Sequence, residues 1–144
     1  MECVLKDFKE EAKRFLNALV PETQHATVLA LHGDLGSGKT TFVQELAKNL
    51  GVVDEVVSPT FVIQKQYVLE NQKFDQLIHI DAYRLTEGAQ IHVLNWDEIS
   101  KTSGNLICIE WPENIKDALR SSTQHLYFTY IDEDTRDISY GEKT

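Results

Sequence analysis

The chain has 144 residues, with 14 Lys and Arg against 23 Asp and Glu and a formal net charge of −9. That length suits one domain, residues 1–144, able to bury about two-thirds of its unfolded surface without a disulfide or a metal staple. The acidity disfavours a protein that grips nucleic acid on a basic face of its own, and no apolar run approaches the ~20 residues of a membrane span. Cys3 and Cys108 are the only thiols and no signal-like apolar segment follows Met1, which points to a reducing cytoplasm.

Phe8, Ala12, Phe15, Leu16 and Leu19 recur at helical spacing and predict a helix over 7–19, with Asp7 as its N-cap and Pro21 past its end. Thr27 to Leu31 is apolar and β-branched and predicts a strand. Gly33-Asp34-Leu35-Gly36-Ser37-Gly38-Lys39-Thr40 follows, fitting G-x-x-x-x-G-K-[ST] at every fixed position. Thr40 to Leu50 predicts a helix closed by Gly51 as a left-handed cap. Strand, glycine loop and helix in that order suit a phosphate chain. The glycines leave backbone amides open to phosphate oxygens, and Lys39 adds a mobile charge beside the β- and γ-phosphates. The Thr40 hydroxyl is placed for Mg²⁺, and the helix N-terminus adds its partial positive charge.

Val52 to Val57 is a short connection, punctuated by Ser58-Pro59-Thr60-Phe61. Phe61–Leu69 and Leu77–Asp81 are extended runs around the polar turn Glu70-Asn71-Gln72-Lys73. They predict a hairpin, since no crossover helix fits between them. Residues 85–103 predict one or two short helices around Trp96. Leu106–Ile109 is continuously apolar, as a buried parallel strand should be, with Cys108 as a small core residue. It runs into Glu110-Trp111-Pro112-Glu113. A short helix over Asn114–Arg120 and strands over Leu126–Ile131 and Arg136–Tyr140 complete a three-layer α/β domain.

Mg-nucleotide chemistry needs a carboxylate near the Thr40 hydroxyl, and P-loop enzymes carry it at the end of a neighbouring apolar strand. Asp81 and Glu110 both stand at such ends, where the carboxyl edge of a parallel sheet faces the ligand crevice. One acid holds the metal's water shell and the other orients the attacking water, and the residues leave open which does which. His79 alternates with Ile78 and Ile80 and reads as a group that packs or bonds within the sheet, not as a base. Ser58 and Thr60 can act as a nucleotide sensor in a mobile loop.

Four motifs now stand in one order: G-D-L-G-S-G-K-T-T over Gly33 to Thr41, S-P-T-F from Ser58, H-I-D-A-Y-R-L from His79, and E-W-P-E from Glu110. The set resembles the bacterial TsaE family, the ATPase of tRNA threonylcarbamoyladenosine biosynthesis. The resemblance implies a P-loop NTPase fold whose mostly parallel central sheet is edged by antiparallel strands. It implies ATP hydrolysis with Mg²⁺ bound through Thr40 and Glu110, a further essential acid at Asp81, a functional aromatic at Trp111 and a switch-like Thr60. It also implies an arginine near the nucleotide base at Arg136. The implied partners are TsaB and TsaD, with tRNA modified at adenosine 37 and reached only through that complex. Ser37 departs from the alanine usual in this loop, and residues 86–99 follow no family pattern.

Two rival enzymes fit less well. A small-molecule kinase usually needs several cations around the transferred group and a lid, whereas Arg14, Arg84, Arg120 and Arg136 are the only arginines and are scattered. A guanine-specific switch usually carries N-K-x-D, which does not occur. A nucleotide-gated adaptor whose hydrolysis is incidental stays open beside the ATPase. With no arginine finger evident in the chain itself, hydrolysis by the isolated protein is expected to be slow.

Overall fold

The central strands are apolar on both sides, so the sheet must be covered on both faces to leave water. In the computed structural model, which describes residues 1–53, 64–85 and 94–141, helices and turns do this from opposite sides. Among the described residues the strands are β1 (Glu2–Val4), β2 (Thr27–His32), β3 (Gln64–Val68), β4 (Gln76–Asp81), β5 (Asn105–Glu110), β6 (Gln124–Asp132) and β7 (Thr135–Tyr140). They form one seven-stranded sheet in the order β1-β7-β6-β2-β5-β4-β3. β6, β2, β5 and β4 pair in parallel, while β7 on β6, β1 on β7 and β3 on β4 pair antiparallel. The fold is therefore the mostly parallel α/β sheet with antiparallel edges that the family resemblance implies.

Side-chain alternation sorts the two cores. Leu29 and Leu31 of β2, Leu77 of β4 and Leu106 and Cys108 of β5 face α1 (Phe8–Ala18) and α2 (Lys39–Asn49). Val28, Ile78, Ile80, Ile107 and Ile109 face the other way, onto Trp96 and Ile99 of α3 (Trp96–Lys101) and onto Ile115. Phe42 of α2 is fully buried and sits among the rings of Phe8, Phe15 and Phe128, with centroids 6.1, 6.0 and 5.4 Å away. Edge-to-face aromatic packing of this kind adds about 0.5–1.5 kcal/mol per pair beyond area burial. It ties α2, and so the glycine loop that feeds it, to both α1 and β6.

Helix ends show how local chemistry sets the boundaries. At the end of α2, Gly51 at φ 85° donates to Lys48 O (3.1 Å) and Val52 donates to Ala47 O (3.0 Å). These are the two bonds of a Schellman cap, as the sequence predicts. At the start of α1, Asp7 makes no side-chain capping bond, because its backbone (φ −96°, ψ 0°) already continues a 3₁₀ turn over Leu5–Asp7. The helix expected over Asn114–Arg120 is instead a 3₁₀ segment, Pro112–Ala118, opened by Pro112 and kinked at Ile115. β1 has no counterpart in the sequence reading. Its three residues are too short to show a period, and only pairing with Thr135–Asp137 makes them a strand. Ser58, Thr60 and residues 86–93 lie outside the described residues.

Phe42→Ala is expected to cost about 3–5 kcal/mol of unfolding free energy, the range for emptying a buried phenylalanine site. Urea denaturation measures it, and a loss below about 1 kcal/mol would contradict the central place given to this ring.

Candidate nucleotide site

β2 ends at His32, and the chain must then turn sharply to start α2 at Lys39. Gly33 makes that turn possible by absence of bulk: a Cβ there would lie 2.5 Å from Ser37 Oγ and 2.6 Å from the Phe128 carbonyl oxygen. Gly36 and Gly38 are left-handed at φ 80° and 107°. Phe42 N–H donates to Gly38 O (2.9 Å), so the amides of Lys39, Thr40 and Thr41 fall in the first turn, beyond reach of any intrahelical carbonyl. They are available to an anion, and the helix dipole favours one there.

A cavity of about 650 Å³ opens above this turn. Leu35, Gly36, Gly38, Lys39, Thr40 and Thr41 line it from the loop and α2; Asp81, Glu110, Trp111 and Arg136 line it from the strand ends. Gly33, Asp34 and Ser37 do not reach it. They border a separate groove against Tyr127 to Tyr130 of β6. Ser37 Oγ is buried and has no hydrogen-bond partner among the described residues. Leu35 at the loop tip is 91% exposed.

Asp81 and Glu110 are register partners on adjacent parallel strands. Paired residues point to the same face, so both carboxylates arrive side by side on the α2 side. Glu110 is almost fully buried and accepts from the Thr40 hydroxyl at 3.0 Å on each carboxylate oxygen. Asp81 Oδ1 accepts from Tyr83 N–H (2.9 Å). Just past Glu110 the backbone is left-handed at Trp111 (φ 58°, ψ 49°), an unusual conformation for a bulky residue. It is held by the bond from Ala82 N–H to Glu110 O (3.0 Å) and by Asn114 Nδ2 donating to Ala82 O (2.9 Å).

The turn folds the indole back over Lys39, whose ammonium lies 3.9 Å from a Trp111 ring centroid and donates to Gly33 O (2.5 Å). Burial pushes the Lys39 ammonium below the usual lysine range, and Glu110, Glu113, Asp81 and Asp34 pull it partway back. Arg136 closes the other side. Its guanidinium donates to Gly36 O (3.2 Å), Asp132 O (2.6 Å) and Thr135 O (3.0 Å), and it stacks 4.6 Å from the Tyr130 ring centroid. It thereby staples the loop to the β6–β7 turn.

The model of the threonylcarbamoyl adenosine biosynthesis protein TsaE matches residues 6–138. The chain belongs to the TsaE family. A tRNA threonylcarbamoyladenosine biosynthesis protein TsaE from Nostoc is 38% identical over 133 residues, covering 88% of this chain and 78% of that one. Its namesake from Bacillus subtilis is 33% identical over 132 residues, covering 91% and 79%. The crystal structure of Bacillus subtilis YdiB superposes with a TM-score of 0.74 at 29% identity, over 97% of this chain and 82% of that one.

His79 bonds within the sheet, as its alternation with Ile78 and Ile80 predicts, to a partner the sequence reading does not name. It is fully buried and lies 2.6 Å through Nε2 from Glu110 Oε2. The signal was its place two residues before Asp81, which puts both on one face. Thr60 lies outside the described residues.

Alanine at Gly33 should destabilise by about 3 kcal/mol, because the added methyl meets a fixed carbonyl. At Gly36, where nothing lies within 4 Å, only left-handed backbone strain of about 1 kcal/mol remains. Thermal or urea unfolding compares the two variants, and equal losses would contradict the close-approach role of Gly33.

Proposed function

We propose that this chain is a P-loop ATPase that binds and hydrolyses Mg-ATP in the service of tRNA N6-threonylcarbamoyladenosine formation at position 37. The observation that carries the reading is the bond of the Thr40 hydroxyl to both oxygens of Glu110, at 3.0 Å each, beneath a loop of open amides. A hydroxyl and a carboxylate so paired at the foot of a glycine loop are the donor set that suits Mg²⁺ on a nucleotide. The names of the relatives supply the pathway.

The residues present fit the ligand. The loop offers amides in the first turn of α2, an ammonium held close by, and a cavity of about 650 Å³. Thr40 and Glu110 would hold the magnesium ion, which would supply neutralising charge to the phosphate chain. Lys39 supplies an ammonium to the phosphate chain, leaving its contact with Gly33 O as it does so. Burial favours that exchange, because a desolvated cation gains more from an anion than from a carbonyl. Asp81, next to Glu110 and on the same cavity, orients the water that attacks the γ-phosphate in line. Trp111 shields the ammonium from solvent, and Arg136 shapes the end of the cavity for the base. Thr60 joins as the nucleotide-sensing hydroxyl.

The reading extends to partners. Arg136 spends its guanidinium on backbone carbonyls, so it supplies no free arginine finger. Slow hydrolysis by the isolated chain is part of this reading, with TsaB- and TsaD-like proteins completing the working assembly. A net charge of −9 suits a protein that meets tRNA through them and not directly. The cytoplasm is the compartment in which that work is done.

Lys39→Ala should lower the rate of phosphate release from ATP by about two orders of magnitude or more, the usual loss for one transition-state charge contact. Wild-type turnover in this variant would overturn the role. Glu110→Ala should reduce magnesium-dependent hydrolysis more than it reduces nucleotide affinity. Parallel phosphate-release and equilibrium-binding measurements check this, and an equal loss in both would remove Glu110 from the metal site.

A further inference from the structure

Resting on the nucleotide reading above, we propose that His79 is the positioning residue that fixes the Glu110 carboxylate for its divalent cation. A carboxylate only accepts hydrogen bonds, so the 2.6 Å contact between His79 Nε2 and Glu110 Oε2 places the proton on Nε2. The opposite nitrogen, Nδ1, is buried and has no partner among the described residues. The hydrogen bond to Glu110 is thus the one polar bond found for this imidazole. Its ring is fully buried, locked in register between Lys65 of β3 and Cys108 of β5. A polar ring placed so deep is expensive unless its bond does something a leucine cannot.

The geometry shows what the bond does. Glu110 has two oxygens and the Thr40 hydroxyl bonds both. Thr40 by itself leaves the carboxylate free to rotate about its last torsion, because either oxygen satisfies it. His79 touches Oε2 alone and so breaks the tie. Oε2 is then bonded by both His79 and Thr40, and Oε1 by Thr40 alone, so the two oxygens are no longer interchangeable. Ligating groups are commonly oriented in this way by an outer partner, and loss of such a partner typically costs about 10–100-fold in metal affinity. His79 works through Glu110 and touches neither nucleotide nor cation.

The test uses the whole chain and ADP, which avoids turnover. Binding is measured by calorimetry in EDTA and across a Mg²⁺ series, in wild type, His79→Leu and His79→Gln. Leucine fills the slot without a donor, and the glutamine amide returns an N–H near the position of Nε2. In H79L the Mg²⁺ concentration that half-saturates the tightening of ADP binding should rise about tenfold or more, while ADP affinity in EDTA stays within about twofold of wild type. H79Q should hold the magnesium requirement within about threefold of wild type.

An unchanged requirement in H79L overturns the proposal. So does an equal loss of ADP affinity with and without metal, which marks a merely structural residue. If H79L does not fold, H79Q decides alone, and a tenfold rise there overturns it. Absence of magnesium-tightened ADP binding in the wild type would instead sink the nucleotide reading itself.

Discussion

A carboxylate sealed inside an apolar sheet needs donors to hold it there, and Glu110 has two in Thr40 and His79. The site depends on this meeting. Thr40 belongs to the first turn of α2, His79 to β4, and Glu110 to β5, so three elements must be in register before the contact forms. The energetics favour keeping it. A buried charge that loses a hydrogen-bond partner costs more than the bond contributes when present. Any shift of α2 along the sheet would take the Thr40 donor from Glu110 and leave it only His79, which ties the position of the glycine loop to this contact.

Parallel pairing supplies the remaining geometry. β4 and β5 end together, so Asp81 and Glu110 reach the same rim at the same height. β2, on the other side of β5, delivers the loop to that rim. Beyond the strand ends the chain is held by bonds to backbone carbonyls: Ala82 N–H to Glu110 O, the Asn114 side-chain amide to Ala82 O, and the Arg136 guanidinium to Gly36 O. Among the described residues of this rim, Trp111 is the non-glycine residue with left-handed backbone. It brings an aromatic face onto the ammonium of Lys39, a contact worth about 0.5–2 kcal/mol depending on exposure. Strain kept beside a cavity, with bonds on either side of it, is what a working site is expected to show.

Much of this was readable from residue order. The loop, its helix and the Gly51 cap follow from glycine spacing and helical period, and Leu106–Ile109 declares a buried strand by having no polar side. That Asp81 and Glu110 stand at strand ends beside the glycine loop follows from two apolar runs that each close on an acid, and the structure brings both to one cavity. What the sequence hid was tertiary. β1 exists only through its pairing with β7. Pro112 and the kink at Ile115 turned an expected helix into a 3₁₀ segment. The bond from His79 to Glu110 joins residues 31 positions apart, and alternation along β4 shows the face of His79 but not the strand beside it. Family resemblance alone implies Arg136 at the site, and its hold on three carbonyls arises only in the folded chain.

The central claim is that an open ring of helix-start amides, one buried ammonium and a Thr40–Glu110 pair accept a magnesium-bound triphosphate. Calorimetric titration of the folded wild-type chain with Mg-ATP tests it most directly. One-to-one binding with a clear heat is the expected result. Folded protein that shows no binding heat, and no competition with labelled ATP under the same conditions, would contradict the account.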